Sequence, residues 1–177
     1  SWLTAWLHKL GARVTGLALE APTVPSHFDV AGLDELITHQ KGDIRHLDAV
    51  FSTVDEAQPD FVFHLAAQSL VRQSYIDPLG TYQTNVLGTL HVLEALRRLE
   101  KPCIAVLITS DKCYRNLEWT WGYRETDALG GPDPYSGSKG ATELVIHSHV
   151  KSFFSKDSPV RVGVGRAGNV IGGGDWA

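Results

Sequence analysis

The sequence predicts an α/β domain built on a doubly wound parallel sheet, and three observations predict it. Short runs of strand character alternate with helical runs along the whole chain. Residues 61–67 (FVFHLAA) and 103–110 (CIAVLITS) are continuously apolar, as strands buried on both faces are. Helical segments follow the strand runs, the rhythm of right-handed crossovers between parallel strands.

The elements follow in order. Residues 1–10 (SWLTAWLHKL) put Trp2, Leu3, Trp6, Leu7 and Leu10 on one helical face, with Gly11 as the stop. Residues 13–19 (RVTGLAL) read as a strand, and 47–57 as a helix ended by Pro59. After the 61–67 strand, the segment 81–99 is a long amphipathic helix with Val86, Leu90, Leu93 and Leu96 inward. A helix spans 134–154 beyond the 103–110 strand, and 160–170 (VRVGVGRAGNV) is the last strand. Loops are expected over 21–30 and 115–134, which hold Pro, Gly or acidic residues. The glycine run 172–174, ahead of Asp175, reads as a flexible loop. Dinucleotide folds of this kind open on a strand and a glycine-rich turn before their first helix. This chain opens on what reads as that helix, at Ser1 and with no methionine, so it reads as a fragment.

Composition narrows the function classes. The 177 residues are 43% hydrophobic and 20% charged, enough for one domain with a real core. A net charge of -4 offers no basic field for nucleic acid or an acidic membrane. No apolar run is long enough to span a bilayer. Cys103 and Cys113 form neither a disulfide framework nor a zinc spacing, so a cytoplasmic protein with reduced thiols is the expectation. The remaining histidines, Trp119, Trp121 and the acidic residues show no metal spacing, and no metal is assigned. Asp127 and Asp133 read as loop aspartates without an obvious partner.

The chemistry gathers at the carboxyl ends of the strands, where open α/β sheets bind ligands. Tyr135 and Lys139 in PYSGSK are four apart and share a helix face. A lysine cation beside a tyrosine favours the phenolate and makes it a usable base. The pair also reads as a solvated helix face. Ser110, Asp111 and Lys112 end the 103–110 strand and bring a hydroxyl, a carboxylate and an ammonium to the crevice. They read equally as a polar strand cap, and Tyr135 on the next helix tips the balance to catalysis. In HLAAQS, Ala66 and Ala67 let a ligand approach the backbone, while His64 reads as a satisfied core histidine. Asp43 in KGDI has the chemistry to accept from an adenine amino group, or is a surface aspartate. Thr84 and Asn85 lie mid-helix, where a buried Asn needs partners and holds backbone near the site. Arg166 and Asn169 end the last strand on the same crevice edge, with Arg166 equally readable as an ion-pair partner.

Together, HLAA, the NVLGT helix, Ser110 ahead of YSGSK, and RAGNVIGGGDW resemble the extended short-chain dehydrogenase/reductases, which have a Rossmann-like fold. Within them, TSDKCY resembles the nucleotide-sugar 4,6-dehydratases. The Ser-Asp-Lys triplet, ALEAPT, WTWGYRETD and GGGDWA are similar to the branch acting on CDP-glucose. The resemblance covers essentially the whole chain. It implies a cofactor domain over 1–177 that lacks its first strand and its C-terminal substrate domain. It further implies a lyase that converts CDP-glucose to CDP-4-keto-6-deoxyglucose for deoxysugar and O-antigen biosynthesis, with NAD recycled in the site. On that resemblance Tyr135 takes the carbon-4 hydroxyl proton, Lys139 supports it and Ser110 holds the carbon-4 oxygen. Asp111 protonates the departing carbon-6 hydroxyl, and Lys112 stands where relatives carry the glutamate base. A lysine base needs burial or cationic neighbours to be partly neutral. Asp43, Ile44, Leu65, Ala66, Ala67, Thr84, Tyr135 and Lys139 match cofactor contacts; Ser69, Ser110 and Asn169 match substrate contacts. Glu20 after the first strand would repel a 2′-phosphate, which favours NAD over NADP. Relatives commonly dimerise through their long helices, so a homodimer or higher homo-oligomer is implied. A nucleotide-sugar 4-epimerase and a catalytically silent Rossmann-type binding module are the alternatives. Asp111 and Lys112 argue against the first, and the Tyr135–Lys139 pair against the second.

Overall fold

The structure is a computed structural model, and it describes residues 1–174. Asp175, Trp176 and Ala177, the last three residues of the GGGDWA motif, lie outside the described residues. Helix α1 (Trp2–Lys9) leads into strand β1 (Thr15–Ala18). Short helices α2 (His27–Val30) and α3 (Leu33–Leu36) precede strand β2 (Thr38–Lys41). Helix α4 (Leu47–Ala57) crosses to strand β3 (Phe61–His64). Helices α5 (Val71–Ile76) and α6 (Pro78–Tyr82) follow, then a π-helical turn (Gln83–Leu87) and helix α7 (Gly88–Arg97). Strand β4 (Cys103–Ser110) ends in a 3₁₀ turn (Asp111–Cys113), and helix α8 (Pro134–Phe153) leads to strand β5 (Val160–Ala167).

Every strand pairing is parallel, as the alternation of elements predicts. The strands form two hydrogen-bonded groups among the described residues, β1-β2 and β3-β4-β5. They share one core. Leu17 of β1 packs against a cluster that includes Val50 and Val54 of α4, Leu93 and Leu96 of α7, Ala105 and Leu107 of β4, and Ile146 of α8.

Several expectations change. The 81–99 helix is helical from residue 78 onward but contains the π turn, which inserts one extra residue into the register. Leu93 and Leu96 are fully buried as expected, whereas Val86 and Leu90 are only half-buried and Asn85, Gly88 and Thr89 face inward. The strand at 61–67 ends at His64, and its outward residues Phe61 and Phe63 are exposed, so it is not buried on both faces. On α1 no residue is buried, and Trp2, Trp6 and Leu10 are exposed. Strand β2 escapes the sequence pattern because THQK carries no apolar alternation. The 21–30 loop holds α2, capped by the Ser26 hydroxyl accepting from Asp29 N.

Candidate active site

The parallel arrangement aims the carboxyl ends of β3, β4 and β5 at one edge, where Ser110 pairs with Ala167 in register. The chain turns sharply there. Ser110 Oγ accepts from Lys112 N at 3.1 Å and donates to Asp111 Oδ1 at 3.0 Å. Lys112 Nζ lies 3.6 Å from Asp111 Oδ2, and both side chains are about half exposed. Lys112 thus lacks the burial expected of a lysine base and faces a carboxylate. The strand-cap reading of the triplet is realised, with Ser110 capping the turn at the carboxyl end of β4. Next in the chain, Cys113 is fully buried, and desolvation pushes its thiol up to about 11.

Helix α8 brings Tyr135 and Lys139 to the same place. Asp133 is its N-cap, accepting from Ser136 N at 2.9 Å and from Ser136 Oγ at 2.6 Å. Pro134 occupies the first turn, where its missing N–H costs nothing. Asp133 therefore has a partner after all. Asp127 likewise accepts from Arg124 N at 2.7 Å. Tyr135 and Lys139 are both buried rather than a solvated face, with Lys139 Nζ 5.9 Å from the centre of the Tyr135 ring. Burial lowers the Lys139 pKa, partly offset by Cys113 and Glu143. Gly140 lets the helix seat against the turn: a Cβ there would meet Gly130 N at 3.0 Å and Cys113 O at 3.4 Å.

Asn85 has the partners its burial requires. Its side chain accepts from Gln68 N at 2.8 Å and donates to Gln68 O at 3.1 Å and to Ser138 Oγ at 2.8 Å. Its carbonyl accepts from the hydroxyls of Thr89 and Thr142. One residue thereby ties the loop after β3, the π turn and α8 together. His64 Nε2 bonds Thr89 Oγ1 at 2.9 Å, and burial drives its pKa down to about 4, the satisfied core histidine of the sequence reading.

The other residues singled out from the sequence are spread along the same edge and beyond it. Leu65, Ala66 and Ser69 are exposed on the loop after β3, Ala67 is half-buried there, and Thr84 sits half-buried in the π turn. Asn169 is exposed past the end of β5. Ile44 is buried, and its carbonyl accepts from His91 Nδ1 at 2.8 Å. Asp43 is engaged by Arg45, which donates from its backbone N and Nε at 2.8 Å and from Nη2 at 2.5 Å. Those hydrogen bonds hold the Asp43 carboxyl below its usual range. Glu20 pairs with Lys41 at 2.7 Å on the surface. Arg166 is an ion-pair partner: it grips Glu143 through Nε–Oε1 at 3.0 Å and Nη2–Oε2 at 2.9 Å. Glu143 was missed by the sequence reading, although it continues the four-residue spacing of Tyr135 and Lys139. Gln68 and Ser138 were missed because no spacing links them to Asn85.

Residues 1–156 match the family described as GDP-mannose 4,6 dehydratase. The chain is 52% identical over 181 residues to a CDP-glucose 4,6-dehydratase of Salmonella typhimurium, covering all of this chain and 50% of that protein. It therefore spans about half the length of this curated relative. Among solved structures, a UDP-glucose 4-epimerase from Thermotoga maritima with UDP-glucose superposes with a TM-score of 0.78 at 20% identity, over 93% of this chain and 50% of that one. MoeE5 in complex with UDP-glucose and NAD gives 0.71 at 22% identity, over 93% and 49%. These two similarities establish the Rossmann-like fold. The match over residues 1–156, joined to the fold it accompanies, identifies the chain as a member of the GDP-mannose 4,6 dehydratase family.

Proposed function

We propose that the protein to which this chain belongs is an NAD-dependent nucleotide-sugar 4,6-dehydratase, a hydro-lyase acting on CDP-glucose. The observation that carries the reading is a carboxyl group, Asp111, hydrogen-bonded to Ser110 in a turn that packs against the helix of buried Tyr135 and Lys139. Likeness to the Salmonella CDP-glucose 4,6-dehydratase supports the choice of sugar nucleotide.

The residues fit a dinucleotide. Leu65, Ala66 and Ala67 offer a backbone path past β3, Thr84 lies beside it, and Asp43 and Ile44 follow β2. Glu20 at the end of β1 is an anion where a 2′-phosphate would need a cation; Lys41 neutralises it only at the surface. When bound, NAD supplies a hydride acceptor for sugar carbon 4 and a donor for carbon 6. Tyr135 takes the carbon-4 hydroxyl proton, with Lys139 holding the cofactor ribose and favouring the phenolate. Ser110 bonds the carbon-4 oxygen and Asp111 gives its proton to the departing carbon-6 hydroxyl. Lys112 occupies the position of the carbon-5 base, and to act there its side chain must leave Asp111 and become buried against substrate. Ser69 and Asn169 contact the substrate. The protein works in the cytoplasm as a homo-oligomer, with Leu144 and Phe153 of α8 exposed for a partner copy.

The test is to incubate the complete gene product with CDP-glucose and NAD and to weigh the sugar nucleotide. Loss of one water is expected. An isomer of unchanged mass would make the protein a 4-epimerase, and unchanged substrate would leave a binding module.

A further inference from the structure

We propose that the Glu143–Arg166 ion pair is a positioning device that clamps the strand end carrying Ser110, Asp111 and Lys112 to the helix carrying Tyr135 and Lys139. The inference rests on the dehydratase reading for its kinetic consequence and on geometry alone for its structural one.

Glu143 lies on α8 one turn beyond Lys139, and its side chain is only 7% exposed. Three groups converge on it. Two come from the Arg166 fork, and the third is the Thr109 hydroxyl, which donates to Oε1. Thr109 immediately precedes Ser110 and is the register partner of Arg166 across β4 and β5. The free side of the guanidinium continues the chain of contacts. Nη1 donates to Tyr114 Oη at 2.8 Å and to the Glu125 carbonyl at 3.1 Å, with the guanidinium carbon 4.8 Å from the Tyr114 ring centre. Tyr114 immediately follows the Asp111–Cys113 turn.

The triplet is therefore bracketed. Thr109, the residue before it, is bonded to Glu143, and Tyr114, the second residue after it, is bonded to Arg166. Glu143 in turn belongs to the helix of Tyr135 and Lys139, so one ion pair fixes the spacing of the two halves of the site. Only a planar fork with several fixed donors serves all these acceptors together; a lysine would hold one at a time. Buried ion pairs contribute little net stability against apolar replacements of similar size. The position of this one, between two reacting segments, gives it a role that stability does not. Arg166 also offsets the Glu143 charge, which acts on Lys139.

The test uses the complete gene product with Glu143→Gln and Arg166→Met combined. Arg166→Met alone leaves a buried unpaired carboxylate and endangers the fold, whereas the double variant buries no charge. With CDP-glucose, kcat should fall by about 100-fold, because a displacement of about 1 Å between reacting groups costs that much. KM should stay within about threefold. Hydrogen exchange, read without substrate, should speed up by about tenfold or more at 111–116 and 124–130, while β4 and the body of α8 keep their protection. A folded double variant with wild-type kcat would overturn the proposal, as would a rise confined to KM, which marks a substrate contact. Unchanged exchange in the two segments, or a uniform rise along the chain, would overturn it as well. If the wild type leaves CDP-glucose intact, the dehydratase reading fails and the exchange measurement alone decides on the clamp.

Discussion

The two ends of the molecule are built on different terms. Around β1 and β2, helix α1 buries no residue, Trp2 and Trp6 are exposed, and the Glu20–Lys41 ion pair stands in solvent. Around the ends of β3, β4 and β5, Asn85, Thr89, Ser138, Lys139, Thr142 and Glu143 are all buried and most are joined by side-chain hydrogen bonds. Exposed pairs contribute little, whereas buried polar networks fix one geometry because each broken member leaves a costly orphan. The lesson is that the buried polar side chains are concentrated where reacting groups must be held.

Four measurements would break or sharpen that contrast, beginning with the largest expected effect. Tyr135→Phe removes one hydroxyl from the buried site and should lower turnover of CDP-glucose by about 10²–10⁴-fold with the fold intact. Steady-state kinetics beside thermal unfolding checks it, and turnover within tenfold of wild type removes Tyr135 from the role of base.

The second effect is on pH. His64 is held neutral by burial, with its pKa at about 4 against an ordinary 6.5. Above the ordinary value, folded and unfolded chains are both neutral at this site and it contributes no slope. Between 6.5 and about 4, the unfolded chain binds a proton that the folded chain refuses, so stability falls on acidification across that window. The loss should reach about 3 kcal/mol. Denaturant titrations across this range should show it, and His64→Gln should flatten the slope; an unchanged slope would mean that other groups carry it.

Asn85→Ala comes next. It strips the partners from Gln68 N, Gln68 O and the Ser138 hydroxyl at once, and should destabilise the chain by about 2 kcal/mol. Urea unfolding with an unchanged m-value measures it; a change below about 0.5 kcal/mol would show that the π turn holds without its side-chain hub. The smallest effect belongs to the other end. Trp6→Ala, on an exposed face of α1, should shift stability by no more than about 0.5 kcal/mol despite the size of the residue removed. A loss of several kcal/mol would erase the contrast between the two ends.

Strand β4 and helices α4 and α8 were legible almost to the residue, because apolar runs and amphipathic periods report burial directly. Asn85 was also legible: an amide in the middle of a buried helical face is costly without partners, so partners had to exist. The inward face of the 81–99 helix was not, since a π turn shifts the register by one residue and leaves no mark in a repeating apolar pattern. Nor was β2, whose THQK has no alternation, or the exposure of Phe61 and Phe63, because an apolar side chain does not state which neighbour will cover it.

By itself, the sequence determined the class of fold, the parallel direction of its strands, and the residue types at the carboxyl ends of β3, β4 and β5. These follow from local periodicity and from residues within a few positions of one another, such as Tyr135 and Lys139 on one helix face. Tertiary structure alone decided that Arg166 serves Glu143 and Tyr114, that Asn85 joins Gln68 to Ser138, and that Lys112 faces Asp111 in the open. Except for the adjacent Lys112 and Asp111, these partners lie 17 to 53 residues apart. No short-range pattern specifies such a pairing; only the folded register of strands and helices brings the donors and acceptors within hydrogen-bonding distance.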